Sequence, residues 1–197
     1  MPVVGLTSSI ACGKSSVARA FAEMGAELID ADEIVHELYR KPAMVTKIRV
    51  AFGKGAIKNK GGKKIVNREV LAELVFSDAR KLKKLNSIVH PAVVREIGRK
   101  IRRARKKIIV VDAPLLFEAK LAKMFDVVVA VKAGRKNQIA RLRKRGLSTR
   151  EACARIASQM PLREKVKLAD YAIDTNGTRR ETMRQVRGIY REITGLA

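Results

Sequence analysis

The sequence predicts an α/β protein in which a parallel sheet is covered by helices on both faces. Short apolar runs rich in β-branched residues, such as 108–111 and 127–131, alternate along the chain with stretches of helical periodicity. Continuous apolar runs of this kind are typical of strands that are buried on both faces, as in parallel sheets. The length of 197 residues allows one sizeable core with a small inserted lobe.

The predicted elements follow one another in a regular order. Strands are predicted over 2–6, 27–30, 108–111, 127–131 and 171–174, and helices over 13–24, 135–145, 149–159 and from about Arg179 onward. From about residue 33 to residue 107 the pattern is helical without a convincing strand, and it is interrupted at Pro42, at a loop over 53–64 and at Pro91. This stretch therefore indicates a helical lobe inserted after the second strand.

Residues 8–16 place small side chains and a Gly-Lys-Ser triplet between the first strand and the first helix. This layout is typical of a phosphate-binding loop, in which successive backbone N–H groups and a helix N-terminus form a concave anion site. In such a loop Lys14 reaches the β- and γ-phosphates and the Ser15 hydroxyl binds Mg²⁺. A plain turn is the alternative. Ser8 stands where the usual pattern has a glycine, so we expect a strained loop.

Acidic residues end two of the predicted strands. Asp30 and Asp32 follow the second strand, and Asp112 follows the apolar run 108–111. Ligands of open parallel sheets bind at this edge. Asp32 could accept the proton of an attacking hydroxyl, although either acid of the first pair could instead cap the next helix. Asp112 has the form of a Walker B acid, which commonly holds Mg²⁺.

Other candidate residues have weaker patterns. Pro114 turns the chain after Asp112, and the apolar residues 115–117 favour core positions. His90 precedes Pro91 at the predicted helix break, and a lone histidine is more often structural. Cys12 lies at a helix N-terminus beside a lysine, which predicts enhanced thiolate character.

The segment after the fourth strand is predicted to be a mobile lid. Its polar residues include Arg141, Arg145, Arg155, Gln159, Arg163 and Lys165. Arginine in a segment that closes over a nucleotide can neutralise the charge that develops during phosphoryl transfer.

The chain carries 43 Lys and Arg against 19 Asp and Glu, a formal net charge of +24. The densest basic runs are 95–107 and 53–64, and neither contains interleaved aromatic residues that could stack on bases. We interpret them as a solvated helix face and a flexible loop. Weak, salt-sensitive binding of polyanions is expected as a side effect, without a specific nucleic-acid partner.

Three features predict a cytoplasmic protein that does not enter a membrane. No apolar stretch approaches the ~18 residues that a membrane span needs. The first strand begins almost at once, which leaves no room for a signal peptide. The cysteines at 12 and 153 do not suggest a disulfide framework.

The whole chain resembles the dephospho-CoA kinases. The resemblance rests on residues 5–16, 25–36, 85–93, 110–118, 155–161 and 169–177, which read GLTSSIACGKSS, GAELIDADEIVH, LNSIVHPAV, VVDAPLLFE, RIASQMP and ADYAIDTNG. It implies a three-layer P-loop NTPase fold and a single kinase domain over 1–197. Within that domain it implies a helical CoA-binding insertion over about 33–107 and a lid over about 141–168.

The resemblance also implies an activity and a site. The activity is ATP-dependent phosphorylation of the ribose 3′-hydroxyl of dephospho-CoA, which gives coenzyme A and ADP with the help of Mg²⁺. The implied catalytic residues are Asp32, Lys14 and Arg141. The implied ATP-binding residues are Ala11, Cys12, Gly13, Lys14, Ser15, Ser16, Arg141 and Asn176. The implied substrate contacts are Asp32, His90, Pro114 and Leu115, and the implied Mg²⁺ ligands are Ser15 and Asp112.

Two alternatives stay open at the level of the sequence. The first is another small-molecule P-loop kinase, such as a nucleoside monophosphate kinase. The second is a nucleic-acid-binding protein with a degenerate P-loop. The second is favoured by the high positive charge and by Ser8 and Ser9, which replace the usual glycine pair of the family and put the strength of ATP binding in question.

Overall fold

The computed structural model describes residues 1–76 and 78–195, and it has the predicted α/β architecture. The strands are β1 (Val3–Ser8), β2 (Glu27–Asp30), β3 (Ile57–Lys60), β4 (Lys63–Val66), β5 (Ile109–Asp112), β6 (Val127–Lys132) and β7 (Tyr171–Asp174). The helices are α1 (Lys14–Glu23), α2 (Ala31–Leu38), α3 (Pro42–Phe52), α4 (Arg68–Phe76), α5 (Ala79–Arg103), α6 (Arg135–Arg143), α7 (Thr149–Ala157), α8 (Leu162–Leu168) and α9 (Arg179–Thr194).

The chain forms two compact units. One consists of residues 1–30 and the chain from residue 103 onward, and the other consists of residues 31–102. The first unit holds a parallel sheet with the strand order β2-β5-β1-β6-β7. Its strands lie within two residues of the predicted boundaries, as do helices α1, α6 and α7 and the start of α9, whereas α8 was not predicted as a separate helix.

The central strand β1 is buried on both faces, which explains its continuous apolar sequence. Val4 and Leu6 face one core cluster, which also contains Phe21 of α1 and Val186 of α9. On the other face, a Cβ at Gly5 would lie 2.6 Å from side-chain atoms of both Leu116 and Phe125. Glycine at this position therefore lets the chain after β5 pack directly against the sheet.

Capping boxes define the starts of two helices in the first unit. The Ser148 hydroxyl accepts a hydrogen bond from the backbone N–H of Glu151 at the start of α7, and Thr178 does the same with Glu181 at the start of α9. In both cases the glutamate returns a bond to the backbone N–H of the cap residue, so that two terminal donors are satisfied.

The second unit contains a hairpin that the sequence pattern did not predict. The expected loop over 53–64 instead forms strands β3 and β4, which pair antiparallel and begin with Ile57 opposite Val66. Gly61 and Gly62 connect them with φ of 55° and 74°, as the two-residue turn of a tight hairpin requires. The Gly-Gly turn was not recognised, because the lysine-rich residues on either side of it lack the alternating apolar pattern that predicts strands.

The predicted helix break at Pro91 is also wrong. Helix α5 runs through Pro91 without interruption, although an interior proline removes one backbone hydrogen bond and costs ~3 kcal/mol. The residues Val89, Val93 and Ile97 are buried along one face of the helix on both sides of the proline. Burial of this stripe offsets the lost bond and keeps the helix in one piece.

The length and apolar character of the helices bear on whether one of them could cross a membrane. In the part of the chain that the structure describes, none of them combines the length and the apolar character that a bilayer crossing demands.

Candidate active site

The loop between β1 and α1 has positive φ at Ala11 (59°) and Gly13 (85°). Ser8 and Ser9 are not among the positive-φ residues that the structure describes, so a Cβ at these positions carries no left-handed strain. Ala11 is strained by ~1–2 kcal/mol, because left-handed backbone places its Cβ close to a carbonyl oxygen. The expected strain is therefore present in the loop but falls on Ala11 and not on the serines.

Side chains from neighbouring elements hold the loop carbonyl groups. Gln138 Nε2 donates to Ile10 O over 2.7 Å, Arg141 Nη1 donates to Ala11 O over 3.0 Å, and Thr175 Oγ1 donates to Cys12 O over 2.6 Å. In a trans peptide the N–H points opposite to the C=O of the same unit. The next three N–H groups along the chain therefore point away from these side chains, and form the concave donor surface that phosphate oxygens require.

Gln159 ties the beginning of the loop to the segment after α7. Its Oε1 accepts a hydrogen bond from Ser9 Oγ over 3.0 Å and another from the backbone N–H of Ile10 over 2.8 Å. A glycine at position 9 could supply no hydroxyl, so the serine adds an anchor of its own. The buried Ser9 side chain is thereby satisfied.

Lys165 of α8 is fully buried beside the loop, with 0% of its side chain exposed. Its Nζ donates to Ser8 O over 3.2 Å and to Pro114 O over 2.7 Å, and it lies 2.8 Å from Oε1 of Glu118. This ammonium group connects the end of β1 with the turn that follows β5. These two segments are the ones that carry the predicted phosphate and metal ligands.

Lys14 and Asp112 meet at the mouth of the loop. Lys14 is the first residue of α1, and its Nζ forms an ion pair with Oδ1 of Asp112 at the carboxyl end of β5. Asp30 is the register partner of Asp112 on the neighbouring strand β2. Ser15 and Ser16 follow in the first turn of α1 with exposed side chains. A cation, a carboxylate and two hydroxyl groups therefore border the concave N–H surface.

Arg141 and Asn176 close the other side of the site. Arg141 donates through Nη1 to Thr175 Oγ1 over 3.1 Å and through Nη2 to Thr175 O over 2.7 Å, in addition to its bond with the loop. Asn176 Oδ1 accepts from the backbone N–H of Gly134 over 2.6 Å and from Asn137 Nδ2 over 2.9 Å. The turns after β6 and β7 are thus joined to each other and to the phosphate loop.

Cys12 does not have the reactive character that its position in the sequence predicts. Its side chain is 1% exposed and belongs to the core cluster under the loop. Burial raises the pKa of the thiol, and Gln138 Nε2 lies 3.3 Å from Sγ. The prediction of enhanced thiolate character is wrong, because the side chain points into the core and not toward the anion site.

The remaining predicted residues are distributed over both units. In the second unit, Asp32 lies in the first turn of α2 and is exposed, and His90 lies in the middle of α5 and is half-buried. Burial lowers the pKa of His90, so its imidazole is neutral near pH 7. In the first unit, Pro114 is half-buried and Leu115 is 51% exposed, whereas Leu116 is fully buried in the core. The predicted core role therefore holds for Leu116 and not for Leu115.

Two residues of this network were not predicted. Thr175 directly follows β7, and the carboxyl end of a parallel strand is the same signal that pointed to Asp112. Gln138 is a buried polar residue of α6, and no motif in the sequence marks it. Gln159 and Lys165 were predicted as polar residues of a lid, and here they anchor the loop.

Comparison with known proteins identifies the group to which this arrangement belongs. The family model described as dephospho-CoA kinase matches residues 2–181. The chain belongs to the dephospho-CoA kinase family. The dephospho-CoA kinase of Aquifex aeolicus is 39% identical over 98% of this chain and 98% of its own length, and that of Carboxydothermus hydrogenoformans is 42% identical over 94% and 91%.

A solved structure agrees with this assignment. The dephospho-CoA kinase from Campylobacter jejuni matches with a TM-score of 0.72 and 27% identity, and the alignment covers 98% of this chain and 97% of that one. The family resemblance and the P-loop α/β fold are confirmed, and the chain is a kinase for which the family implies ATP as phosphoryl donor. Neither alternative, a nucleoside monophosphate kinase or a nucleic-acid-binding protein with a degenerate P-loop, is supported by these matches.

Proposed function

We propose that this chain transfers the γ-phosphoryl group of ATP to the ribose 3′-hydroxyl of dephospho-CoA, and that it does so in the cytoplasm. In this reaction the 3′-oxygen forms a bond with the γ-phosphorus while the bond from that phosphorus to the β,γ-bridging oxygen breaks. The products are coenzyme A and ADP, and the hydroxyl proton leaves to a base. The observation that carries the proposal is the anchored phosphate loop with Lys14 and Asp112 at its mouth, in a chain of this family.

The loop and the two basic residues fit the donor nucleotide. The N–H groups that follow the three anchored carbonyls would bind the phosphate oxygens, together with Lys14. Arg141 has five N–H donors, and its contacts within the described residues use three of them. The remaining donors would neutralise charge that develops on the transferred group. Asn176 would lie on the adenine side.

Ser15 and Asp112 fit a magnesium ion. Mg²⁺ is usually held by one or two protein oxygens together with substrate phosphates, and not by a cage of several carboxylates. Among the residues that the structure describes, no cluster of three or more His, Cys, Asp and Glu could hold a metal, which agrees with a site of the first kind. Bound there, Mg²⁺ would neutralise the phosphate charge. Ser15 and Asp112 would hold the ion, and Lys14 would bind the phosphates beside it.

Asp32 would act as the general base. It is exposed in the first turn of α2, where the helix dipole favours a negatively charged carboxylate. An ionised carboxylate within hydrogen-bond reach of the 3′-hydroxyl can accept its proton as the bond to phosphorus forms. His90, Pro114 and Leu115 would contact dephospho-CoA, with residues 33–107 as its binding lobe and 141–168 as a lid.

The test is ADP production from Mg-ATP in the presence of dephospho-CoA, AMP or adenosine. We expect turnover with dephospho-CoA to exceed that with either rival acceptor by at least ~100-fold. AMP and adenosine lack the rest of the dephospho-CoA molecule, so the polar groups of the site that bind it would stay unpaired. Lys14→Ala should abolish turnover, whereas Lys123→Ala, which removes an exposed lysine of the same unit, should not. Preference for AMP, or no turnover with any acceptor by folded protein, would contradict the proposal.

A further inference from the structure

Helix α9 carries a row of four arginines on its outer surface. Arg180, Arg184, Arg187 and Arg191 are spaced by four, three and four residues, and all four are exposed. At 100° per residue this spacing places them within about 60° of one another around the helix, in a row ~16 Å long. We call this row the arginine stripe. It lines an open groove of about 870 Å³ together with Arg179, Glu181, Met183 and Gly188.

The two acidic residues of α9 each have a hydrogen-bond partner outside the arginine stripe. Glu181 is committed to the capping box with Thr178, and Glu192 accepts a hydrogen bond from the Tyr171 hydroxyl over 2.7 Å. Among the described residues, no carboxylate forms an ion pair with any of the four stripe arginines. Like charges three or four residues apart destabilise a helix. Glu181, whose carboxyl pKa is lowered by hydrogen bonds from Thr178 and by the nearby charge of Arg184, offsets part of this repulsion. One carboxylate against four guanidinium groups leaves the stripe with an excess of positive charge, which points to an external polyanion.

We propose that the arginine stripe binds the sugar-phosphate backbone of a nucleic-acid duplex. Guanidinium groups match phosphate oxygens in geometry and are weakly hydrated, which favours arginine over lysine at phosphate contacts. A rigid row of charges suits the regular row of phosphates in a duplex. None of the groove residues is aromatic, so the stacking that holds single strands is not provided here.

Membrane binding fits the same surface less well. A helix that lies in a membrane interface needs an apolar face to insert beside its basic face. The apolar face of α9 is already used, because Val186 and Ile189 are buried in the core cluster with α1 and the sheet. The arginine stripe therefore provides positive charge without apolar side chains that could insert into a bilayer. A surface of this kind fits a dense, regular polyanion better than a membrane.

The size of the effect follows from the number of phosphate contacts. Each neutralised phosphate of a B-form duplex contributes ~0.9 to the slope of log affinity against log salt concentration, so four contacts give a slope of about −3.6. The affinity that the stripe supplies should therefore fall about 150-fold when salt rises fourfold. Sequence preference should be absent, since backbone contacts carry no base information.

The experiment compares binding of a short duplex, in DNA and in RNA form, to the full chain and to two variants. The stripe variant changes the four stripe arginines to glutamine. The matched control changes Arg102, Arg103, Arg105 and Lys107 to glutamine, which removes the same charge from exposed positions in the densest basic run. Fluorescence anisotropy across a salt series gives affinity and slope. Dephospho-CoA-dependent ADP production by the stripe variant should stay within about twofold of the unmodified chain, because none of the four stripe arginines was assigned to the kinase site.

We expect the stripe variant to lose duplex affinity at least tenfold and its salt slope to become shallower by about 3.6, with the control close to the unmodified chain. Equal losses in the two variants would overturn the proposal, because binding would then depend on total charge. Absence of duplex binding by the unmodified chain at low salt would overturn it as well. Stripe-dependent binding to anionic phospholipid vesicles without duplex binding would show that the occupant is a membrane.

Discussion

Replacement of Lys165 by methionine should destabilise the protein more than any surface change on the same helix. Methionine nearly matches the volume of the lysine side chain but supplies no positive charge and no donor. The change would leave Ser8 O and Pro114 O without their donated bonds, and Glu118 without its partner at 2.8 Å. Truncating one partner of a buried ion pair generally costs ~3–5 kcal/mol.

For Lys165→Met we expect a destabilisation in the lower half of that range. The Glu118 side chain is 26% exposed, so water can partly solvate its carboxylate after the lysine is removed. A loss of ~3 kcal/mol in the free energy of unfolding corresponds to a fall of about 6–12 °C in Tm for a chain of this size. Because the lost bonds hold the end of β1 and the turn after β5, the KM for ATP should rise even at temperatures where the variant is folded.

The assay is urea unfolding followed by circular dichroism, with Lys167→Met as the matched control. Lys167 lies on the same helix, its side chain is 65% exposed, and its Nζ forms an ion pair with Glu164 Oε1 at 3.8 Å. Exposed pairs contribute less than ~1 kcal/mol, so the control should unfold nearly like the unmodified chain. Equal stability of the two variants would refute the anchoring role of Lys165.

Three further changes test the catalytic base, the burial of Cys12 and the pairing of Glu96. Asp32→Asn should lower kcat by ~10²–10⁴ without altering the circular dichroism spectrum, and an unchanged kcat would remove this residue as the base. In native protein, iodoacetamide should alkylate the half-exposed Cys153 much faster than the buried Cys12. Peptide mass mapping measures the two rates, and similar rates would contradict the burial of Cys12. Two neighbouring basic side chains lower the pKa of Glu96 from 4.5 to about 2. The stability that Glu96 contributes should therefore be present above pH 4.5 and lost as pH falls toward 2. The difference in unfolding free energy between the unmodified chain and Glu96→Gln should shrink over that range, and a constant difference would speak against the pairing.

The sheet could be predicted from the sequence because its strands are buried on both faces. Continuous runs such as 108–111 and 127–131 leave little choice of element, and the helix boundaries are marked by glycine and by capping residues. The hairpin over 57–66 escaped prediction because its register depends on a Gly-Gly turn and not on an apolar pattern. Helix α5 continues through Pro91 because tertiary burial outweighs a local preference.

The site was predictable only in part, for a similar reason. Lys14 and Asp112 belong to local motifs, so their positions follow from the order of strand, loop and helix. The anchors Gln138 and Lys165 are separated from the loop by more than 120 residues, and no local pattern records which carbonyl groups they meet. Cys12 shows the reverse case, since its neighbours in sequence suggest reactivity while the fold turns its side chain into the core.

The serine-containing loop is proposed to support phosphorylation of dephospho-CoA at the 3′-oxygen. The most direct measurement is phosphorus NMR of the product formed from Mg-ATP and dephospho-CoA, with comparison to authentic coenzyme A. We expect a new phosphomonoester on the ribose 3′-oxygen, formed in equal amount with ADP and absent with Lys14→Ala. A phosphate at another position, or ADP formed without a phosphorylated acceptor, would contradict it.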